Sequence, residues 1–423
     1  MEPVCLTNGS FNCQLIYFTS PSLTIDDENL IFISDKSGNP NIYILNIPRN
    51  EVLQLTNNEE GFLKSYQYFR GNKGKGLGVA SVTFNASIGT IFYLQGHKIC
   101  SVDLNNNSRV LAEYPSDQVT AYMSVSHDGT RLCVPTTDAR AIEDDLFDGW
   151  CPDHNIDERI QDENLSSYLR VYDTISGKEI VTEPVPKAWV THAQYCPLDN
   201  NKILYNHEWP SFDKGSRRMW LFNGKEHKKL RSVGNGRDSN DWVCHEMWVK
   251  NGKSIIYHGS YNDGPMFIGK VEIEDGIIIE IKLPDNYDEY GHFIVSNSDE
   301  TLVTDGYYRK RDKIKKIKYL LKISRKLLKM IIPKPLIIVI RKFYVNENID
   351  NLPYGEWISI LKVDWEKKKI KWDPLVKHGS INCRTNQDNH PHPIFNHKGN
   401  ELFFTSNRNG KRSIYKLELT NSF

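Results

Sequence analysis

The stretch HPIFNHKGNELFFTSNRNGKRSIYKLEL, residues 392–419, sets three apolar runs apart by tight turns rich in Asn and Gly. Alternating apolar residues between such turns predict short antiparallel strands rather than helices. The same phrase recurs along the chain. It is found at SLTIDDENLIFISDKSGNPNIYILNI (22–47) and VTFNASIGTIFYLQGHKICSVDL (82–104), and at YMSVSHDGTRLCVPTTD (122–138) continued by YLRVYDTISGKEI (168–180). It returns at HAQYCPLDNNKILYNHEW (192–209) with RRMWLFNGKEHKKL (217–230), at 245–273, and at HFIVSNSDETLVTDGYY (292–308) resumed by EWISILKVDW (356–365). That makes seven units spaced by about 40–60 residues, apart from one long interruption. A unit of about four strands cannot bury both faces of its sheet alone, so successive units stack radially. The expected fold is all-β: one seven-bladed β-propeller domain spanning 1–423. Two packed β-sandwiches are the alternative.

Composition bounds the partners. Lys plus Arg equals Asp plus Glu, 53 against 53, so no global field favours nucleic acid. The N-terminus lacks a charged start followed by an apolar core, and no run of about 18 apolar residues is present, so a cytoplasmic chain is expected. Eight cysteines lack CxxC spacing, and Cys133 and Cys196 read as buried, reduced thiols.

Aligning the repeats on their first turn brings four histidines into phase. His192, His245, His292 and His392 each stand seven residues before Asp199, Gly252, Asp299 and Gly399, while Val82 and Tyr122 occupy that place in earlier repeats. First strands of propeller blades line the central channel, so these imidazoles should face one cavity, joined by His390 two residues before His392. A channel histidine can instead satisfy a buried backbone group, and His192 taken alone suits that role equally well. Neutral imidazoles with the amide oxygen of Gln387 suit a divalent ion with open positions for substrate oxygens. Spacing does not choose among manganese, nickel, iron and zinc, and no cysteine stands near as a competing ligand.

At these residues the sequence resembles the oligogalacturonate lyases, polysaccharide lyases of pectin degradation built on a seven-bladed propeller. The resemblance is carried by residues 17–46, SHDGTRL (126–132), YNHEW (205–209), RMW (218–220), CHEMW (244–248), GHF (291–293), KHGS (377–380) and NQDNHPHPIFNHKGNELFFTSN (386–407). It implies a Mn2+ site at His292, Gln387, His390 and His392, a catalytic base at His245 and an essential Arg218. Arg217, adjoining it, with His192 and His207, is expected to bind substrate. The implied reaction is metal-dependent β-elimination from short oligogalacturonides or related uronate oligosaccharides, giving 4,5-unsaturated products. Alternatives are a non-catalytic propeller binding proteins or acidic glycans, and a lyase for a different cell-envelope uronate polymer.

Two departures are the chain's own. Trp209, Pro210 and Ser211 replace the family's small, glycine-containing phrase after the fourth-repeat HE, which leaves the sugar open. The sixth repeat carries an insertion, 309–343, in which Ile314, Ile317, Leu320, Leu321, Leu327, Leu328 and Ile331 recur at helical spacing among lysines until Pro333 and Pro335. A basic amphipathic helix there would contact an anionic membrane or a protein partner, or pack on the propeller's rim.

Overall fold

The computed structural model describes residues 2–7, 10–59, 77, 80–141, 155–208, 218–231, 241–261, 265–283, 291–308, 355–381, 383 and 387–419. Within them lie seven antiparallel sheets of four or five strands, six of them built from consecutive segments. This is the seven-bladed propeller expected from the repeats. The first blade runs Cys13–Leu15, Asn29–Ser34, Asn41–Asn46 and Glu51–Gln54. The fifth runs Trp242–Trp248, Ser254–Ser260, Met266–Glu272 and Ile278–Lys282.

Strand Asn29–Ser34 shows why the units stack. Ile31 and Ile33 pack with Val82, Phe84 and Ile91 of the second blade. Leu30 and Phe32, one residue out of step, pack with Phe403, Phe404 and Tyr415 of the seventh. The period of two therefore sends alternate side chains to opposite neighbours, and both faces of a blade end up dry. Further clusters join the second blade to the third, the third to the fourth, the fourth to the fifth and the fifth to the sixth. Val303, Ile358 and Ile360 carry the sixth blade into the cluster shared by the seventh and first. The core is thus a closed ring of interfaces.

Hydrogen bonding between strands from the two ends of the chain completes the closure. The seventh blade takes Ile394–Phe395, Glu401–Asn409 and Lys411–Glu418 from the C-terminal end, and its outer strand, Val4–Cys5, from the N-terminal end. Val4 pairs with Lys416 and Cys5 with Tyr415. The repeat at 392–419 contains only three strands, and a two-residue strand leaves no pattern by which its fourth could be recognised.

Two other features were not anticipated. The inner strand of the third blade is split into Gln118–Thr120 and Ser124–Val125, both pairing with Arg131–Asp138. A short helix, Asn155–Asp162, follows that blade's second strand, and Ile160 packs there with Ala141, Leu165 and Trp189. In the sixth blade Tyr307–Tyr308 pairs with Gly355 and Glu356, and the inserted segment 309–343 between them lies outside the described residues. Among the described residues no helix is long and apolar enough to cross a membrane.

Candidate metal centre and active site

His192, His292 and His392 stand just ahead of inner strands and His245 within one, and hairpin register decides what faces them. His292 immediately precedes Phe293–Val295, and Phe293 pairs with Thr304, so Asp305 lies directly across from His292. Asp305 Oδ1 accepts the His292 backbone N–H at 2.6 Å, and Oδ2 lies 3.2 Å from His292 Nδ1. The same Oδ2 accepts the His392 backbone N–H at 3.3 Å, tying the sixth blade to the seventh. Gly291 makes this possible, since a Cβ there would come within 1.9 Å of Asp305 Oδ1.

Three imidazoles converge on that support. One ring nitrogen from each of His292, His390 and His392 lies within 4.8 Å of the others. Ring centroids are 4.2 Å apart for His292 and His392, and 4.7 Å for His292 and His390. His392 adopts a left-handed backbone, φ 45°. A non-glycine residue held so costs ~1–3 kcal/mol, a strain the surrounding structure must impose.

These residues fit a divalent transition ion. His392 Nε2 is buried without a hydrogen-bond partner. With Nδ1–H of His292 donated to Asp305, Nε2 of His292 keeps its lone pair and faces His390 Nδ1 at 3.3 Å. A ligating histidine whose other nitrogen is held by a carboxylate is the usual supporting arrangement of a metal site. Burial pushes the Asp305 carboxyl up, but the imidazoles of His292, His392 and His390 outweigh it and hold the group well below the usual carboxylate range. Burial likewise presses His390 down to about 3, so its ring is neutral and able to ligate at neutral pH. Gln387 begins a 3₁₀ turn, Gln387–Asn389, three residues before His390.

His245 stands against this cluster, its ring centroid 4.3 Å from that of His292. The pairing of its strand shifts between Cys244 and Met247, and His245 has φ 54°. Bulges of this kind re-aim side chains beside active sites. His245 Nδ1 lies 2.7 Å from His258 Nε2, a hydrogen bond that leaves His245 Nε2 as the nitrogen outside that bond. Desolvation above all, with the Arg218 charge adding to it, holds His245 well below the ordinary imidazole range. The neutral form prevails at neutral pH.

Arg218 is buried on strand Met219–Phe222's entry, where two carboxylates grip it. Nε donates to Glu246 Oε2 and an Nη to Glu208 Oε1, each at 2.8 Å. Glu208 in turn accepts from Thr191 Oγ1 at 2.8 Å and Asn206 Nδ2 at 3.0 Å. The guanidinium is thereby locked in place near Cys244 and His245, its single charge facing two carboxylates inside the chain.

The other expected residues are placed differently. Both ring nitrogens of His192 have partners, Thr191 Oγ1 at 2.9 Å and Tyr17 hydroxyl at 3.1 Å. Both partners belong to the chain itself. His207 stacks on Trp220 with ring centroids 4.7 Å apart. Arg217 and Trp209–Ser211 lie outside the described residues, as does the side chain of Gln387.

Sequence reasoning missed Asp305, His258, Glu208, Glu246, Tyr17 and Phe18. Tyr17 stacks on Tyr122 at 4.1 Å, and Phe18 packs within 6.0 Å of His245, His292 and His392. A signal existed for the glutamates, which follow His in both HE phrases. Asp305 and His258 needed only hairpin register, since each lies across from the first-strand site, Asp305 from His292 and His258 from Cys244. The expectation that no cysteine stands near the histidines is corrected: Cys244 Sγ lies within 4.8 Å of ligand nitrogens of His245 and His258. The bulge brings Cys244 and His245 to one side, against the alternation a regular strand would give.

Comparison with known proteins follows the same lines. The family model for oligogalacturonate lyase matches residues 167–323. Over its whole length the chain is 22% identical to oligogalacturonide lyase of Pectobacterium atrosepticum and 24% identical to oligogalacturonate lyase of Dickeya dadantii, covering 94% of each. The fold matches an oligogalacturonate lyase solved in complex with manganese, with TM-score 0.69 and 19% identity over 99% of this chain and 93% of that one. It also matches the Vibrio parahaemolyticus oligogalacturonate lyase, with TM-score 0.70 and 20% identity over 99% and 94%. Blades, the family-model match over 167–323 and the full-length relatives point the same way: the chain resembles the oligogalacturonate lyases.

Proposed function

We propose that this chain cleaves short oligogalacturonides, or closely related uronate oligosaccharides, by β-elimination, with a divalent ion, Mn2+ first, held by His292, Gln387, His390 and His392. The observation that supports the reading is the convergence of three imidazoles on one point with a fourth, neutral imidazole packed against them. When bound, the ion neutralises the substrate carboxylate and so stabilises the negative charge that develops as the C5 proton leaves.

His245 then takes that proton on Nε2. The C5–H bond breaks, its electrons form the C4=C5 double bond, and the C4–O bond breaks, the departing oxygen taking up a proton from water. General bases of this kind contribute about 100-fold to 10,000-fold. His258 fixes the tautomer, because an Nδ1–H donated to His258 leaves the Nε2 lone pair outward. Arg218 acts beside it: its charge disfavours imidazolium at His245 before reaction, and its two carboxylate partners keep it in register. Phe18 and Tyr17 wall the channel and exclude water from one side of the cluster.

The test is an absorbance assay. Protein stripped with chelator and resupplied with Mn2+ is mixed with galacturonate trimers and a panel of other uronate oligomers. The ultraviolet band of a 4,5-unsaturated product is expected only with metal present. Metal-loaded protein that forms no unsaturated product from any uronate would overturn the reading.

A further inference from the structure

We propose that Cys244, His245 and His258 form a second metal site, for a soft or borderline divalent ion such as Zn2+, and that filling it shuts off the base. The site nitrogens and the thiol sulfur lie within 4.8 Å of one another, and the three residues come from two adjacent strands of one blade. Zinc bonds of about 2.0–2.3 Å set tetrahedral ligand atoms roughly 3.3–3.7 Å apart, so the two imidazole nitrogens, now 2.7 Å apart, open slightly around an ion while the sulfur is already within 4.8 Å. Its geometry depends on the bulge: Cys244 pairs across to His258, while the shifted register and left-handed φ turn His245 to the same side. Cys244 and His245 are both partly accessible, which leaves the ion a way in.

The two clusters differ in chemistry. The three-histidine cluster offers borderline nitrogen ligands, whereas the second adds a soft thiolate, which selects zinc or cadmium over manganese. The thiol proton goes to solvent when sulfur binds. The ion also takes the place of the proton shared between His245 Nδ1 and His258 Nε2, now 2.7 Å apart. That proton moves to His245 Nε2, and with it goes the lone pair that accepts the C5 proton. The inhibition rests on His245 being the base, whereas binding does not.

The full-length, Mn2+-loaded protein is titrated with Cd2+ while the ultraviolet thiolate-to-metal charge-transfer band is followed, and in parallel with Zn2+ while lyase activity is followed. The expected result is a saturable one-equivalent band and loss of activity along the Zn2+ titration. Cys244→Ser should lose the band, keep Mn2+-dependent turnover, and need at least about 10-fold more Zn2+ for the same inhibition. His390→Ala should keep the band, which separates this site from the first. A band that persists in Cys244→Ser, or zinc inhibition unchanged by that substitution, would overturn the proposal. A normal band in a protein inactive on every uronate would instead count against the lyase reading alone.

Discussion

At the residue scale the account turns on His245, whose phase in the repeat was legible but whose partners were not. His245→Ala is expected to lower kcat by about 100-fold to 10,000-fold while leaving Mn2+ content unchanged, measured by steady-state turnover and elemental analysis. Near-normal turnover would pass the proton to another group. The buried imidazoles also set a pH dependence. Burial, then the Arg218 charge, press His192 down to about 3, far under the free value near 6.5. A group depressed on folding contributes stability that is complete above its unfolded value and lost as pH falls toward the folded one. Melting temperature should therefore decline between about pH 6.5 and about pH 3, and His192→Gln should flatten that decline. The substitution leaves Tyr17 an amide to bond.

At the element scale the hairpin is the unit that builds the site. Register placed Asp305 opposite His292, and neither composition nor spacing in the chain marks Asp305 as special. Periodicity identified the strands, but a bulge at Cys244–Met247 and a left-handed His392 lie outside what a period of two can report, because they break it. Asp305→Asn should weaken Mn2+ binding about 10-fold to 100-fold in a calorimetric titration while the fold persists. Gly291→Ala should act in the same direction through sterics, its Cβ displacing the carboxylate from His292. Unchanged affinity in both variants would remove Asp305 from the support of the site. Arg218 shows the same lesson: the resemblance marked it as essential, and the structure gives it Glu208 and Glu246, one from each HE phrase.

At the scale of the whole molecule the repeat count carried the fold. Seven phrases predicted seven blades, and the alternation within each strand accounts for the ring of interfaces. The outer strand Val4–Cys5 was invisible because two residues hold no period, yet it completes the seventh blade and joins the two ends of the chain. The ring brings Tyr17 and Phe18 of the first blade against histidines of the fourth to seventh, an encounter that only closure produces. The central claim is that one ion sits where the sixth and seventh blades meet. It is tested most directly by elemental analysis of manganese-loaded, desalted wild-type protein and of the His390→Ala/His392→Ala double variant, with circular dichroism confirming the β fold in both. The account predicts one manganese per wild-type chain and none in the variant; undiminished manganese in a folded variant would contradict it.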